Sequence, residues 1–260
     1  MGELPSNREW KKWGEIDPLF SVASWHGKNK NGSDPWTDED FYKLGESDWT
    51  DFREHWEMYG VNAGSCLEIG CGAGRITLQL ASYFNEVHAL DVSEKMIEYA
   101  QNRIASPSVF FHLSKGIEIP LEDQSVHAVF STHVFQHLDS LSVARSYFSE
   151  IGRVLTSGGT LMIHLPIYKW PAMSTSFDLL YSVLERMADI RSRIKRLLMD
   201  LGMAKPMMRR LSYPVEFFYE EFPKLGFGDI ELSIFVTKSN NSLHPFILAR
   251  KGTSREDPSL

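Results

Sequence analysis

The segment CLEIGCGAGR, residues 66–75, places three glycines at alternate positions directly after a short apolar run. A glycine-rich turn between a buried strand and a helix lets a ligand approach the backbone and the helix N-terminus closely. Dinucleotide-binding enzymes and several other protein classes use this device, so the glycines alone do not identify the ligand. They predict the first strand and first helix of a parallel α/β sheet.

The sequence around this turn alternates between strand-like and helix-like patterns. The runs typical of buried strands are SCLEI, EVHAL, SVFFHL, VHAVFST and TLMIHLP. Between them, apolar residues recur at helical spacing, and Ser93 is placed to cap the helix that follows the second strand. Near the end of the chain, DIELSIFV and HPFILARK predict an antiparallel hairpin at the sheet edge. We therefore expect a doubly wound, mostly parallel seven-stranded sheet with helices on both faces.

Composition divides the chain into segments. Residues 1–60 hold six of the seven tryptophans among turn-forming residues and predict an N-terminal cap with few regular elements. Residues 61–251 form the predicted main domain, which is interrupted by an insertion at 167–212. We expect the last residues, 252–260, to form a flexible tail.

The insertion is locally basic and has apolar residues at helical spacing. Between residues 186 and 210 it carries eight Lys and Arg residues against two Asp residues. Such a helical segment suits two roles: peripheral contact of residues 176–210 with an anionic membrane, or a lid whose apolar face covers a ligand pocket. We favour the lid, because the insertion follows the fifth strand and ligands of open parallel sheets bind at the carboxyl ends of strands.

The net charge and the number of cysteines indicate which binding partners and which cellular compartment to expect. The formal net charge of −7 argues against a nucleic-acid backbone as the main partner, since proteins that bind one usually carry a basic face. The chain has no apolar stretch typical of a signal peptide or a membrane span, and its two cysteines show no metal-ligand pattern. We expect a reduced cytoplasmic protein that acts on a small molecule; the sequence leaves its oligomeric state open.

The residues around the glycines distinguish between nucleoside ligands. A nicotinamide-binding loop has the spacing G-x-G-x-x-G, but here the third glycine, Gly74, comes one place early and Arg75 stands at the expected position. Glu68, at the strand end, would repel a pyrophosphate but attract the sulfonium and ammonium groups of S-adenosylmethionine. Asp91 ends the second strand, where ribose hydroxyls lie in either class of ligand.

Several ordered motifs together resemble one family, the class I S-adenosylmethionine-dependent methyltransferases, in particular the group acting on small molecules. The resemblance covers roughly residues 61–165 and rests on LEIGCGAGR, ALDVSEKM, IPLEDQSVHAVFSTHVFQHL and IGRVLTSGGTLMI. It implies a Rossmann-like methyltransferase fold. It also implies an S-adenosylmethionine site formed by Glu68, Gly70, Gly72, Gly74, Asp91, Val92, Met96, Gly116, Ser131 and Thr132.

Within that site the resemblance implies a role for each group. The three glycines and Glu68 would serve the methionine portion, and Asp91 the ribose. Val92 and Met96 would pack on the adenine, whose amino group would meet the backbone of Gly116, because LSKGIEIP lacks the acidic residue often found there. Ser131 and Thr132 would lie beside the methionine moiety.

The chemistry expected is in-line transfer of a methyl group to an oxygen or nitrogen of a partly hydrophobic small molecule. If the acceptor must lose a proton, a general base is needed, and the candidates are His137, His133 and Tyr168, with His164 in reserve. We predict no metal site, because THVFQH offers two histidines without a third ligand. Two alternatives remain: a non-catalytic S-adenosylmethionine-binding protein and a nicotinamide-dependent oxidoreductase.

Overall fold

Nine strands are defined in the computed structural model, which describes residues 3–168, 208 and 210–252. They are β1 (Ser65–Ile69), β2 (Glu86–Asp91), β3 (Val109–Leu113), β4 (Val126–Ser131), β5 (Leu155–His164), β6 (Ile167–Tyr168), β7 (Tyr213–Pro214), β8 (Phe227–Val236) and β9 (Leu243–Lys251). Seven of them form one sheet in the order β3-β2-β1-β4-β5-β9-β8, and β6 pairs with β7 separately.

The main sheet is parallel except at one end. Strands β1 to β5 pair in parallel, whereas β9 runs antiparallel to both β5 and β8. The prediction of a mostly parallel seven-stranded sheet with a terminal antiparallel hairpin is confirmed. Because β9 is reversed, its first residues lie at the same edge of the sheet as the carboxyl ends of β4 and β5.

Seven α-helices surround the sheet within the described residues. They are α1 (Pro5–Ile16), α2 (Pro18–Val22), α3 (Asp38–Tyr59), α4 (Thr77–Tyr83), α5 (Glu94–Gln101), α6 (Leu141–Val154) and α7 (Val215–Glu221). The Ser93 hydroxyl accepts from the Met96 N–H at the start of α5, so the predicted helix cap is confirmed.

The two faces of the sheet bury separate apolar layers because side chains alternate along each strand. On one face, Leu67 and Ile69 join residues of α6 and α7. On the other, Cys66 and Phe130 pack with Trp49 of α3 and Leu80 of α4. Helices therefore cover both faces, as the sequence predicts.

The prediction that the N-terminal segment has few regular elements is wrong, because this segment contains α1, α2 and α3. Its last part is the 22-residue helix α3, which begins with the Thr37 hydroxyl accepting from the Asp40 N–H and has three acidic residues in its first turn. Trp49 and Trp56 of this helix are buried against the sheet.

Most of the insertion at 167–212 and the tail at 252–260 lie outside the described residues, and so do the predicted lid helices and the membrane-contact alternative at 176–210. Of the described chain, no helix combines the length and apolar character that crossing a bilayer requires.

Candidate functional site

The glycine turn joins the end of β1 to α4 and is bonded to the end of β2. Gly70 has a φ of +76°, in the left-handed region that favours glycine, and its N–H donates to the Leu90 carbonyl at 2.7 Å. A Cβ at Gly70 would lie only 2.2 Å from Val134 Cγ2. The backbone here therefore fits closely under the segment that follows β4.

Asp91 holds the same turn through its carboxylate. Oδ2 accepts from the Gly72 N–H at 2.9 Å, and Oδ1 accepts from the Ser93 N–H at 2.8 Å. Burial raises the pKa of Asp91, while these backbone donors oppose the shift by stabilising its charged form. Asp91 thus ties the carboxyl ends of two neighbouring strands together at the point where a ribose is expected.

A cavity of about 330 Å³ opens at this edge of the sheet. The strand ends, the glycine turn, α1, α2 and the residues after β4 all contribute to its lining. The lining includes Asn7, Trp10, Val22, Trp25, Asp48, Gly70, Gly72, Arg75, Asp91, Val92, Met96, Ser114, Thr132, His133, Gln136, His137, Met208 and Arg210. The volume lies within the range of small-molecule pockets, ~300–1,000 Å³.

Six of the ten predicted cofactor residues line this cavity: Gly70, Gly72, Asp91, Val92, Met96 and Thr132. The Thr132 hydroxyl is buried and has no hydrogen-bond partner among the residues that the structure describes. Because buried polar atoms are rarely left unpaired, this hydroxyl suits a polar ligand in the cavity.

Glu68 lies behind the turn instead of lining the cavity. Its side chain is 3% exposed and accepts from the Thr77 hydroxyl at 2.6 Å. Burial raises the pKa of Glu68 to about 7, although Thr77 and the charge of Arg75 partly oppose the shift. Any effect of Glu68 on a cation in the cavity therefore acts through the turn.

The other three predicted residues support the surrounding backbone. Gly74 faces Ala100 and Ile104, and the buried Ser131 hydroxyl donates to the Ile69 carbonyl at 2.8 Å. The Gly116 carbonyl accepts from two hydroxyls, Ser114 Oγ at 2.7 Å and Tyr147 Oη at 3.0 Å. It is Ser114, not Gly116, that lines the cavity after β3.

Two of the three candidate bases lie at the cavity, but not on one helix. His133 has a left-handed φ of +59° and His137 ends a short 3-10 turn, so the two do not share a helical face. Both line the cavity. The His137 ring lies 5.0 Å from that of Trp10, and its Nε2 is 3.0 Å from the Gln136 side-chain nitrogen. Tyr168 lies in β6, outside the cavity lining.

His133 meets two histidines from more distant parts of the chain. His164 ends β5 and His244 lies near the start of β9, and one ligand nitrogen from each of the three rings lies within 4.8 Å of the others. The sequence prediction considered His133 with His137, whereas the structure brings His133 together with His164 of β5 and His244 of the reversed strand β9. Burial and neighbouring positive charge lower the pKa of His133 well below its usual range, and lower that of His164 to about 3.

A buried ion pair lies at the same end of the cavity. The Arg75 guanidinium, on the glycine turn, bonds to the Asp48 carboxylate of α3, and Asp48 also accepts from the Ser239 hydroxyl. Both charged side chains are almost fully buried. Since an unpaired buried charge is costly, each stabilises the other there.

Sequence reasoning missed the residues that reach the cavity from α1 and α3. Asn7 and Trp10 lie on α1, and the Ser6 hydroxyl donates to Asp139 Oδ2 at 2.7 Å, which fixes this helix to the segment after β4. No local pattern pointed to these contacts. Ser6 and Asp139 are 133 positions apart in the chain, and only the folded arrangement brings them to one edge.

Comparisons with known proteins agree with this geometry. Residues 67–163 match the family described as "Methyltransferase domain". Malonyl-[acyl-carrier protein] O-methyltransferase from Hahella chejuensis is 34% identical over 98 residues, which are 37% of this chain and 34% of that protein. Demethylmenaquinone methyltransferase from Tropheryma whipplei is 28% identical over 116 residues, 42% of this chain and 47% of that protein. The chain thus spans a third to a half of the length of these curated relatives.

Among solved structures, magnesium protoporphyrin IX methyltransferase from Synechocystis PCC 6803, with bound SAH, has a TM-score of 0.58. The match covers 95% of this chain and 100% of that one at 15% identity, which supports the fold alone. The family match runs from Leu67 in β1 to Ile163 in β5 and includes the glycine turn and Asp91. Residues 67–163 are therefore similar to the methyltransferase-domain family, and the sheet order agrees with the Rossmann-like methyltransferase fold.

Proposed function

We propose that this protein transfers the methyl group of S-adenosylmethionine to an oxygen or nitrogen of a small, partly hydrophobic acceptor. One observation carries the proposal. A single cavity is lined both by the glycine turn and Asp91 and by Trp10 and His137. A nucleoside cofactor and an acceptor can therefore meet in one space at the carboxyl ends of the strands, where this fold binds ligands.

The cofactor half of the cavity offers groups suited to each part of S-adenosylmethionine. Asp91 would accept hydrogen bonds from the ribose hydroxyls, and the backbone of Gly70 and Gly72 would adjoin the methionine portion. Val92 and Met96 would pack on the adenine. Glu68 would favour the cationic methionine end from behind the turn. Gly74, Gly116 and Ser131 would contribute by holding the backbone.

The acceptor half combines apolar and polar groups. Trp10, Trp25 and Met208 contribute apolar surface, while Gln136 and His137 offer hydrogen-bonding groups. Such a lining favours an acceptor with an apolar body and a polar reacting end. Relatives named for demethylmenaquinone and for malonyl-[acyl-carrier protein] are consistent with an apolar or chain-bearing acceptor.

His137 is the base that the geometry favours where the acceptor must lose a proton. It lines the cavity, and contacts with Trp10 and Gln136 fix the position of its ring. His133 also lines the cavity, but its lowered pKa makes the ring a weak base. Tyr168 is the weakest candidate because it lies outside the lining. S-adenosylmethionine, when bound, supplies an electrophilic methyl group, so the protein mainly positions the acceptor and excludes water.

The test is methyl transfer from isotopically labelled S-adenosylmethionine to a panel of phenols, carboxylic acids and amines that differ in their apolar portion. Labelled product together with S-adenosylhomocysteine is the expected result. Binding of S-adenosylmethionine without transfer to any acceptor would favour the non-catalytic alternative. Binding of NAD in place of S-adenosylmethionine would favour the oxidoreductase alternative.

A further inference from the structure

Three histidines from three separate elements meet at the carboxyl edge of the sheet. The ring centroids of His133 and His164 are 4.3 Å apart, and that of His244 lies 5.4 Å from the first and 5.2 Å from the second. Each ring offers one nitrogen within 4.8 Å of the other two. The cluster depends on tertiary structure, because His133 follows β4, His164 ends β5 and His244 lies near the start of β9.

Two of the three rings carry buried nitrogens without partners. His164 and His244 are each 5% exposed. Among the residues that the structure describes, His164 Nδ1 and both ring nitrogens of His244 have no hydrogen-bond partner. An unsatisfied buried polar atom costs ~1–3 kcal/mol, so the convergence of such atoms needs a compensating ligand.

Aromatic rings and one buried ion pair surround the three imidazoles. His164 packs against Phe246 and His244 against Phe52, so part of the surrounding shell is aromatic. The charged groups nearby are Arg75 and Asp48, which form an ion pair with each other.

We propose that His133, His164 and His244 bind one divalent transition-metal ion of the Zn²⁺ type. Neutral imidazole nitrogens are ligands that such ions prefer, and three of them leave a coordination position for water or another oxygen ligand. Bonds of ~2.0–2.1 Å in a tetrahedral site place the nitrogens ~3.4 Å apart, so metal binding requires the ring nitrogens, now within 4.8 Å of one another, to approach by at most ~1.4 Å. Since His133 lines the cavity, the metal would lie beside the proposed acceptor.

The proposal is tested with the full-length, tag-free protein after chelator treatment, titrated with Co²⁺ and then with Zn²⁺ as a competitor. We expect one Co²⁺ per chain, with the intense visible absorption of a tetrahedral site, displaced by one equivalent of Zn²⁺. His164→Gln and His244→Gln should each weaken Co²⁺ binding by ~100-fold or more, since each removes a direct ligand. Circular dichroism and thermal unfolding of the metal-free variants show whether they fold.

A matched control comes from a second histidine pair. His88 Nδ1 and His112 Nε2 lie 3.0 Å apart on β2 and β3. His112→Gln should leave Co²⁺ binding within about threefold of the wild-type value, since this ring is not a ligand. His244→Cys keeps a ligand atom, so it should retain binding and add a thiolate-to-Co²⁺ charge-transfer band.

The readouts do not depend on methyl transfer. Absence of stoichiometric Co²⁺ and Zn²⁺ binding in the wild-type protein would overturn the proposal. So would binding that survives both His164→Gln and His244→Gln, or a His244→Cys variant that binds Co²⁺ without the thiolate band.

Discussion

The backbone N–H of Gly72 donates a hydrogen bond to Asp91 Oδ2 at 2.9 Å, which links the glycine turn after β1 to the end of β2. One carboxylate therefore both shapes the turn and faces the cavity that the turn helps to form. A substitution at Asp91 acts on the ligand directly and on the backbone of the turn. Tests of the site need controls that separate these two effects.

Asp91→Ala is expected to weaken S-adenosylmethionine binding by roughly 10- to 100-fold, because a hydrogen bond to a charged group contributes ~1.5–3 kcal/mol. Isothermal titration calorimetry measures the dissociation constant. Asp91→Asn, which keeps the shape of the side chain and one acceptor oxygen, should have a smaller effect. Unchanged affinity in a folded Asp91→Ala variant would remove this residue from the cofactor site.

Gly70→Ala tests the close approach of the turn to the segment after β4. The new Cβ would lie 2.2 Å from Val134 Cγ2, and the alanine would have to adopt the unfavourable positive φ of residue 70. We expect weaker cofactor binding and a lower melting temperature. Gly158→Ala is the matched control, since Gly158 has a similar φ of +78° but an added Cβ there meets nothing within 4 Å.

Backbone strain alone costs ~1–2 kcal/mol, so Gly158→Ala should lower the melting temperature modestly and leave cofactor affinity unchanged. If both variants lost the same amount of melting temperature and kept the wild-type cofactor affinity, the close approach of Gly70 to Val134 would have no role in binding.

Glu68 should make the protein less stable as pH rises between about 4.5 and about 7. Its pKa rises from 4.5 to about 7 on folding, so the folded state binds this proton more tightly than the unfolded state in that window. Its stabilising contribution is fully present below pH 4.5 and is lost as pH rises through 7. The unfolding free energy should fall by on the order of 3 kcal/mol across this range.

Urea unfolding at a series of pH values measures this dependence. Glu68→Gln should reduce the decline in unfolding free energy, whereas Glu94→Gln, a substitution of an exposed glutamate, should keep it. A Glu68→Gln variant with the same pH dependence as the wild-type protein would show that this carboxyl is ionised in the folded state throughout the range.

His137→Ala is expected to lower turnover of an acceptor that must lose a proton by ~100-fold or more, as removal of a general base does. The S-adenosylmethionine dissociation constant should stay within about threefold of the wild-type value. Steady-state kinetics and calorimetry measure the two quantities, and His112→Gln serves as the histidine control. Turnover at the wild-type rate in His137→Ala would show that this residue is not the base and only packs against Trp10.

The sheet was predictable because its signals are local. Short apolar runs that end at a glycine or an aspartate indicated β1 and β2, and Ser93 marked the start of α5. Each signal depends on residues within a few positions of one another. For the same reason, Gly70, Gly72 and Asp91 were brought together correctly: parallel neighbouring strands end at one edge.

Features that depend on distant pairing were not predictable. His244 joins His164 because β9 runs antiparallel to β5 with His164 opposite Phe246, a register that depends on tertiary packing. Trp10 reaches His137 because α1 folds back onto the sheet edge, and neither residue signals the other in the sequence. Glu68 carried the argument for a cationic ligand, but strand alternation places its side chain beneath the turn, against Thr77.

The most direct test of the central claim is calorimetric titration of the full-length protein with S-adenosylmethionine, S-adenosylhomocysteine and NAD in parallel. We predict that the two S-adenosyl compounds bind at one site per chain, that each displaces the other, and that NAD does not bind measurably. Failure of both S-adenosyl compounds to bind the folded protein, or tighter binding of NAD than of either, would contradict the account.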